Sequence, residues 1–274
     1  MKIAGVVILY NPDVEDVLKN IKTYLNSIDL LYVIDNSSVS HEEYFIFSDK
    51  ISYIANMNNL GVARALNQAA TKSIQQGFDY LLTMDQDSFF PTSSIKEYEK
   101  VFKKIKDLEN PAVIGISPKL LNSNLETLIN SDYEKVNWVI TSGSIINLNI
   151  YNQLGGFNET LFIDCVDYDY CLRAILAGHK VFKCKNIILY HIGGSPKLIM
   201  GFHIGLYSSE RIYFIARNSL YLWKTYFKGF PKLITKNIIF SLVFCFLPNI
   251  IFANNKKKTL AAFFKGFSDC RNIL

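Results

Sequence analysis

The five cysteines, Cys165, Cys171, Cys184, Cys245 and Cys270, form no C-x-x-C pair and no ligand-like cluster. Their spacing argues against a zinc site, and their odd number argues against a closed disulfide framework, so a reduced, cytosolic setting is expected. The apolar opening MKIAGVVILYNP has no small-residue cleavage site and meets an early Asn-Pro turn, which predicts a first strand rather than a signal peptide. No internal repeat or low-complexity linker breaks the chain. Near the C-terminal end the most apolar stretch, Ile238 to Leu247, is too short to span a bilayer, and Pro248-Asn249 is expected to break its helix. A surface-lying or re-entrant element is therefore expected there. Acids are scarce at the same end: residues 224–274 carry nine Lys or Arg against Asp269 alone. The net charge of +5 thus belongs to the tail, and the rest of the chain is net acidic.

What remains is a chain of 274 residues, half of them hydrophobic, enough for a large buried core. Short apolar runs alternate with helical periodicity: IAGVVILY, then VEDVLKNIKTYLNSI with Val14, Val17, Leu18, Ile21 and Leu25 on one face, then LLYVID. The rhythm continues through ISYIAN, a helical GVARALNQAATKSIQQG that Gly77 can terminate, FDYLLTMD, and an amphipathic SIKEYEKVFKKIKDL. Such alternation predicts a mostly parallel α/β sheet covered by helices on both faces. In the second half AVIGISPKLL, WVITSGSIINL and KVFKCKNIILYHI are expected strands, and VDYDYCLRAILAG a helix closed by Gly178. After residue 205 the texture turns to aromatic, basic helix. The division expected is residues 1–205 as the nucleotide-binding and catalytic domain and 206–274 as a helical appendage.

Open sheets of this kind bind ligands beyond the carboxyl ends of their strands. Polar residues occupy those ends here: Tyr10 and Asn11, Asp35 and Asn36, Asn56, then Asp85 and Asp87. In LLTMDQDSFF the two acids lie two apart, so on extended chain they share a side and repel unless a cation sits between them. Hard carboxylates of this kind suit Mg²⁺ or Mn²⁺ with phosphate oxygens as further ligands; an exposed acidic turn is the alternative. In GGFNETLFIDCVDYDYCLRAILAG, Asp167 and Asp169 open a helix whose positive end stabilises them. A general base beside a substrate pocket and plain helix-end electrostatics both fit this pattern, with Arg173 a candidate partner for one acid. His191 ends a strand in ILYHIGGSP, where Gly193, Gly194 and Ser195 allow close approach of an anion; a neutral imidazole there could complete the cation's coordination, or be simply solvated. Trp138 with Ser142 to Ser144 offers a sugar platform or a core strand.

Taken in order, VILYNP, VIDNSS, NMNNLGVARALNQA, LLTMDQDS, TSGSIINL, GGFNETLFIDCVDYDYCLRA and YHIGGSP resemble the family 2 glycosyltransferases, most closely rhamnosyltransferase-like members, over roughly residues 3–225. The resemblance implies the GT-A (Rossmann-like) fold, a nucleotide-sugar donor, a divalent cation (Mg²⁺ or Mn²⁺), and transfer with inversion by direct displacement. Carried over by position, Asp35 resembles the acid that reads the nucleobase, with Tyr10 and Asn11 lining the same pocket. Asn59, Gly61 and Arg64 resemble the nucleotide-side loop. Asp85 resembles the ribose-facing acid, Asp87 the metal ligand and His191 the second protein ligand, while Asp167 matches the catalytic base. The usual Glu-Asp pair is broken by Val166, which leaves Asp169 open as an alternative base.

The expected donor is dTDP-rhamnose and the expected acceptor a saccharide or polyprenyl-linked saccharide of bacterial surface polysaccharide synthesis. Nucleic acid is not an expected partner. The Lys-rich apolar appendage is expected to touch the inner face of the cell membrane, the alternative being a hairpin packed on the catalytic domain or on a second copy in a homodimer. A metal-dependent sugar nucleotidyltransferase is the competing enzyme class, although YNPDVEDV lacks the Gly-rich, Lys-containing loop it would need after the first strand. A non-catalytic sugar-binding protein is the third reading, supported by Val166 alone.

Overall fold

The computed structural model describes residues 1–91, 94–116, 119–120, 132–191, 197–199, 202–253 and 255–273, with backbone alone at 119–120, 197–199 and 202–204. Gly193, Gly194 and Ser195 lie outside the described residues. Contacts divide the chain into two units: residues 1–158 with 170–192, and residues 159–169 with 193–274.

The first unit begins β1 (Ile3–Leu9), α1 (Val14–Lys22), β2 (Leu30–Asp35), β3 (Ile51–Ala55), α2 (Val62–Gln75) and β4 (Tyr80–Asp85). These are the expected alternating elements. α1 is capped by the Asp13 carboxylate, which accepts the Asp16 amide hydrogen, and turns Val17 and Ile21 into the core. α2 ends before Gly77, whose φ of 71° is the left-handed backbone that glycine adopts without strain. There follow β5 (Ser88–Phe89), α3 (Ser94–Glu109), β6 (Val113–Ile116), β7 (Lys119–Leu120), β8 (Tyr133–Lys135), β9 (Ser144–Asn147) and α4 (Leu148–Leu154). α5 (Val166–Leu176) crosses the division between the units; β10 (Val181–Cys184) and β11 (Tyr190–His191) complete the first. The segment WVITSGSIINL is strand only over its last part, because the chain turns just before it, where Ser144 Oγ donates to the Ile140 carbonyl and the Ser144 amide to that of Thr141.

Eight strands form one sheet in the order β3-β2-β1-β4-β9-β6-β10-β8, parallel from β3 to β4, with β9 and β8 antiparallel to their neighbours. Its core joins Val7, Leu9, Leu31, Val33, Leu82 and Met84 of the central strands to Tyr98, Phe102 and Ile105 of α3. A second, small sheet runs β5-β11-β7.

The second unit holds the pair β12 (Lys197–Ile199) and β13 (Phe202–Ile204), then α6 (Ser209–Tyr226), α7 (Pro231–Phe240), a π-helical stretch at Ser241–Phe246, α8 (Leu247–Phe252) and α9 (Lys256–Asp269). Here the structure corrects the expectation that Pro248-Asn249 breaks the helix. The run is helical from Pro231 to Phe252, 22 residues, or about 33 Å at 1.5 Å per residue, long and apolar enough by composition to cross a bilayer. The physical reason is the π-helical turn just before the proline: its wider hydrogen-bond spacing accommodates a residue that has no N–H to donate and whose ring crowds the preceding turn.

Candidate active site

The strand ends are level. Leu9 pairs with Asp35 and Ile8 with Asp85, so Tyr10, Asn36 and Gln86 leave the sheet at one edge. Strand order reverses between β1 and β4, the place where open sheets bind ligands. Gln86, between the two acids, points away from them and stitches this crevice together. Its Oε1 accepts the Tyr10 amide hydrogen at 2.8 Å, and its carbonyl accepts from Asn20 Nδ2 at 2.9 Å. Asn11 takes a left-handed φ of 45°, and its amide donates to Ser37 Oγ at 2.8 Å. Tyr10 and Asn11 are both exposed at this edge.

Asp85, Asp87 and His191 converge, with one potential ligand atom from each lying within 4.8 Å of the others. His191 arrives by pairing opposite Ser88 in the small sheet. Its Nδ1 stands 2.9 Å from Ser88 Oγ and 3.2 Å from Asp87 Oδ1. The Asp85 amide donates to Ser142 Oγ at 3.2 Å. Beneath, Tyr24 is buried, and burial followed by the Asp85 charge pushes its phenol far above the ordinary range, so it stays neutral. Two carboxylates and an imidazole form a donor set that fits a divalent ion of the Mn²⁺ or Mg²⁺ type, the nitrogen favouring the former.

Asp35 is only 1 % exposed. Its carboxylate accepts from the Ser37 amide at 2.8 Å and the Tyr53 hydroxyl, and meets His41 Nδ1 at 2.7 Å. Burial pushes the acid's pKa up, but the hydrogen bonds from Ser37, Tyr53 and His41 outweigh it and hold the group below its ordinary value. Next to it runs an amide chain: Gln68 and Asn56 exchange hydrogen bonds, Asn56 donates to Asn36, and Asn36 donates to the Gly61 carbonyl. Gly61, with φ 84°, caps α2 and donates to Asn59 Oδ1. Arg64 is exposed in the first turn of α2.

In the second unit, Phe162, Asp164 and Cys165 all take left-handed backbone, with φ of 64°, 61° and 64°. Non-glycine residues pay for such conformations, and several in succession persist only where surrounding contacts over-determine them. α6 provides those contacts. Asn218, fully buried, donates to the carbonyls of Leu161, Ile163 and Asp164 at 2.9, 2.7 and 2.9 Å. Arg217 Nη2 donates to Thr160 and Leu161 at 2.6 and 3.1 Å, and Arg211 grips the Asp164 carboxylate with two nitrogens at 3.0 and 3.3 Å.

This clamped loop delivers α5. Val166 is a buried apolar anchor, 3 % exposed. Asp169 is fully buried, and its Oδ1 accepts the hydroxyls of Tyr221 and Tyr226 at 3.0 and 2.6 Å. Asp167 is half-buried, with Oδ1 accepting the Tyr168 amide at 2.9 Å. Burial, then the charges of Asp164, Asp167 and Asp169, push the Cys165 thiol well above its ordinary value, so it is no nucleophile. Within the first unit Arg173 donates to the carbonyls of Leu154 and Gly156 at 2.9 and 2.6 Å. Gln86, Ser88, Tyr53 and Asn218 had no sequence signal of their own, since each acts through a partner distant in the chain.

The sequence pattern described as "Glycosyl transferase family 2" matches residues 6–162, more than half of the chain. The chain belongs to this family. Among glycosyltransferase relatives, it is 26 % identical over 279 residues to the dTDP-rhamnosyl transferase RfbF of Shigella flexneri, covering 93 % of this chain and 90 % of that one. It is 21 % identical over 238 residues to the low-salt glycan biosynthesis hexosyltransferase Agl10 of Haloferax volcanii, covering 78 % of this chain and 76 % of the other. Its fold is similar to that of S. aureus TarS, with a TM-score of 0.60 at 16 % identity over 100 % of this chain and 49 % of that one. GalNAc-T7, solved with UDP, GalNAc and Mn²⁺, gives 0.65 at 10 % identity over 99 % of this chain and 56 % of that one. The chain spans about half the length of either solved protein. This family 2 glycosyltransferase thus has the expected GT-A fold, a mostly parallel sheet flanked by helices, together with a C-terminal apolar helix.

Proposed function

We propose that this glycosyltransferase moves rhamnose from dTDP-rhamnose, with inversion, to a saccharide or lipid-linked saccharide acceptor of bacterial surface polysaccharide synthesis, at the cytoplasmic face of the membrane. The convergence of Asp85, Asp87 and His191 at the strand ends carries the catalytic part of this reading. The choice of donor is supported by the similarity to RfbF.

Asp87 and His191 would hold Mg²⁺ or Mn²⁺, and Asp85 would face the ribose. The cation, when bound, offsets charge developing on the departing diphosphate, an effect worth several kcal/mol. Gly61 and Asn59 shape the nucleotide-side loop, and Arg64 beside the amino end of α2 suits an anion. Tyr10 and Asn11 line the nucleobase side. Asp35, with its carboxylate engaged by Ser37, Tyr53 and His41, serves that side by holding the loop that follows β2.

Asp167 takes the proton of the acceptor hydroxyl as that oxygen forms its bond to the anomeric carbon. The bond from that carbon to the diphosphate breaks on the opposite face, and nucleoside diphosphate departs. A positioned base contributes roughly 10² to 10⁴ in rate. Asp169 is the weaker candidate because it is buried and its carboxylate already holds two tyrosines. Val166 lends little to a non-catalytic reading, since its burial gives it a packing role.

The deciding experiment incubates the purified chain with dTDP-rhamnose, an acceptor, and Mg²⁺ or Mn²⁺. Release of dTDP that stops on chelation supports the reading. In parallel incubations, release of pyrophosphate from dTTP and rhamnose 1-phosphate would instead mark a nucleotidyltransferase, and turnover of UDP- or GDP-sugars but not of dTDP-rhamnose would overturn the choice of donor.

A further inference from the structure

The run Pro231–Phe252 has two unlike sides. Asn237, Ser241, Cys245 and Asn249 recur every fourth residue along one of them. Ser241 Oγ lies 2.9 Å from Ser219 Oγ of α6, and Asn237 hydrogen-bonds Tyr168. Cys245 packs on Ile212 and Ile215 of α6. Asn249, fully buried, accepts the Tyr207 amide at 2.8 Å and donates to the carbonyls of Cys245 and Gly205. This side is committed to the protein's own second unit. The other side presents Ile239, Phe240, Val243, Phe244, Leu247 and Ile251, each between 44 and 60 % exposed. A contiguous apolar face of that kind needs a cover.

The basic residues decide what covers it and how. Lys232 and Lys236 stand at the start of the run and Lys256, Lys257 and Lys258 just beyond its end, all exposed. A helix crossing the bilayer would leave one of these groups on the far side, against the usual restriction of positive charge to one side. Crossing would also draw α6, packed along the run, into hydrocarbon with Arg211, Arg217 and Lys224. Lying in the plane of the interface avoids both costs: the apolar side sinks to the acyl boundary while both lysine groups meet one anionic headgroup layer.

We infer that Pro231–Phe252 is an in-plane anchor for an anionic bilayer surface, inserted through its Phe240–Phe244–Leu247 side and not spanning. The inference rests on the membrane location proposed above and adds its geometry. Leu260, Phe264 and Phe267 of α9 are exposed as well, and so is Lys265 among them.

The test uses the full chain with vesicles of phosphatidylcholine, with and without phosphatidylglycerol. Nitroxide-labelled cysteine is placed in turn at Ile239, Phe244 and Ile251. Binding that requires phosphatidylglycerol and is released at about 1 M salt, with the three labels at one shallow depth, is the expected result. Replacing Lys256, Lys257 and Lys258 with Gln should weaken binding roughly 10²-fold, at about a factor of five per lysine, while dTDP release with a soluble acceptor is unchanged. A label at Phe244 far deeper than the two ends would show a spanning helix and overturn the inference while leaving the membrane location standing. Absence of binding to either vesicle, or a lipid-free dimer that shields the labels, would overturn both and leave the transferase reading intact.

Discussion

Ser88 and His191, 103 positions apart in the chain, face each other across an antiparallel pair, with Oγ and Nδ1 2.9 Å apart. The contact holds the ring of a residue whose Nδ1 also stands 3.2 Å from Asp87 Oδ1, and hydrogen bonds of this kind commonly orient histidines that ligate a metal, the role proposed for His191. Ser88→Ala should therefore raise the Mn²⁺ concentration needed for half-maximal activity by about 10- to 100-fold. Activity at saturating metal should be largely retained. A metal titration of dTDP release checks this, and an unchanged midpoint would remove His191 from the metal.

Asp167 and Asp169 separate by burial and should separate in assay. Asp167→Asn should lower kcat by roughly 10² to 10⁴ while donor binding, read by calorimetry, is preserved. Full activity in that variant would return the base to an unassigned residue.

Tyr226→Phe removes one of the two hydroxyl hydrogen bonds to the buried Asp169 carboxylate. A hydrogen bond to a charged group contributes about 1.5–3 kcal/mol, so the loss should appear as a lower denaturation midpoint in urea. The pH profile of kcat should not move. A shift in that profile would implicate Asp169 in proton transfer.

The loop from Phe162 to Cys165 is held by a single buried amide as much as by any other group. Asn218→Asp would set a carboxylate against three carbonyl oxygens. We expect lower thermal stability, and a kcat reduced more than the donor KM is raised. Equal changes in the two constants would mean that the loop's shape does not reach the chemistry.

Asp35 supplies a pH signature. Its folded pKa is depressed below the ordinary 3.8, so its stabilisation is fully present above that value and is lost as pH falls through the folded pKa. The stability difference between the wild-type chain and Asp35→Asn should be constant near neutrality and shrink below about pH 4. Denaturant melts at stepped pH test the sign; a difference that grows on acidification would contradict it.

Much of the first unit was legible because its signals are local. The alternation of apolar runs and helical periodicity predicts β1 to β4 with their helices; Asp85 and Asp87 were expected together on extended chain, and they do converge, although β4 ends at Asp85 and Asp87 lies in the turn that leads to β5. The acidic pair before Tyr170 could be placed at a helix start for the same reason. Pro248 shows where local reading failed. Proline ends helices by losing a donor and crowding the previous turn, yet a π-helical stretch ahead of it absorbs both effects, and the packing of Cys245 and Asn249 against the second unit keeps that stretch in register.

By itself, then, the order of residues determined the α/β architecture, the polar strand ends, the family and a basic, aromatic tail, because periodicity, capping and charge are properties of neighbouring residues. Tertiary structure alone decided that Ser88 meets the His191 ring, that Gln86 ties β4 to β1, that Asp169 is buried under two tyrosines, and which side of Pro231–Phe252 faces out. Each of these depends on atoms far apart in the chain meeting within hydrogen-bonding or packing distance, and no pattern of neighbours encodes that meeting.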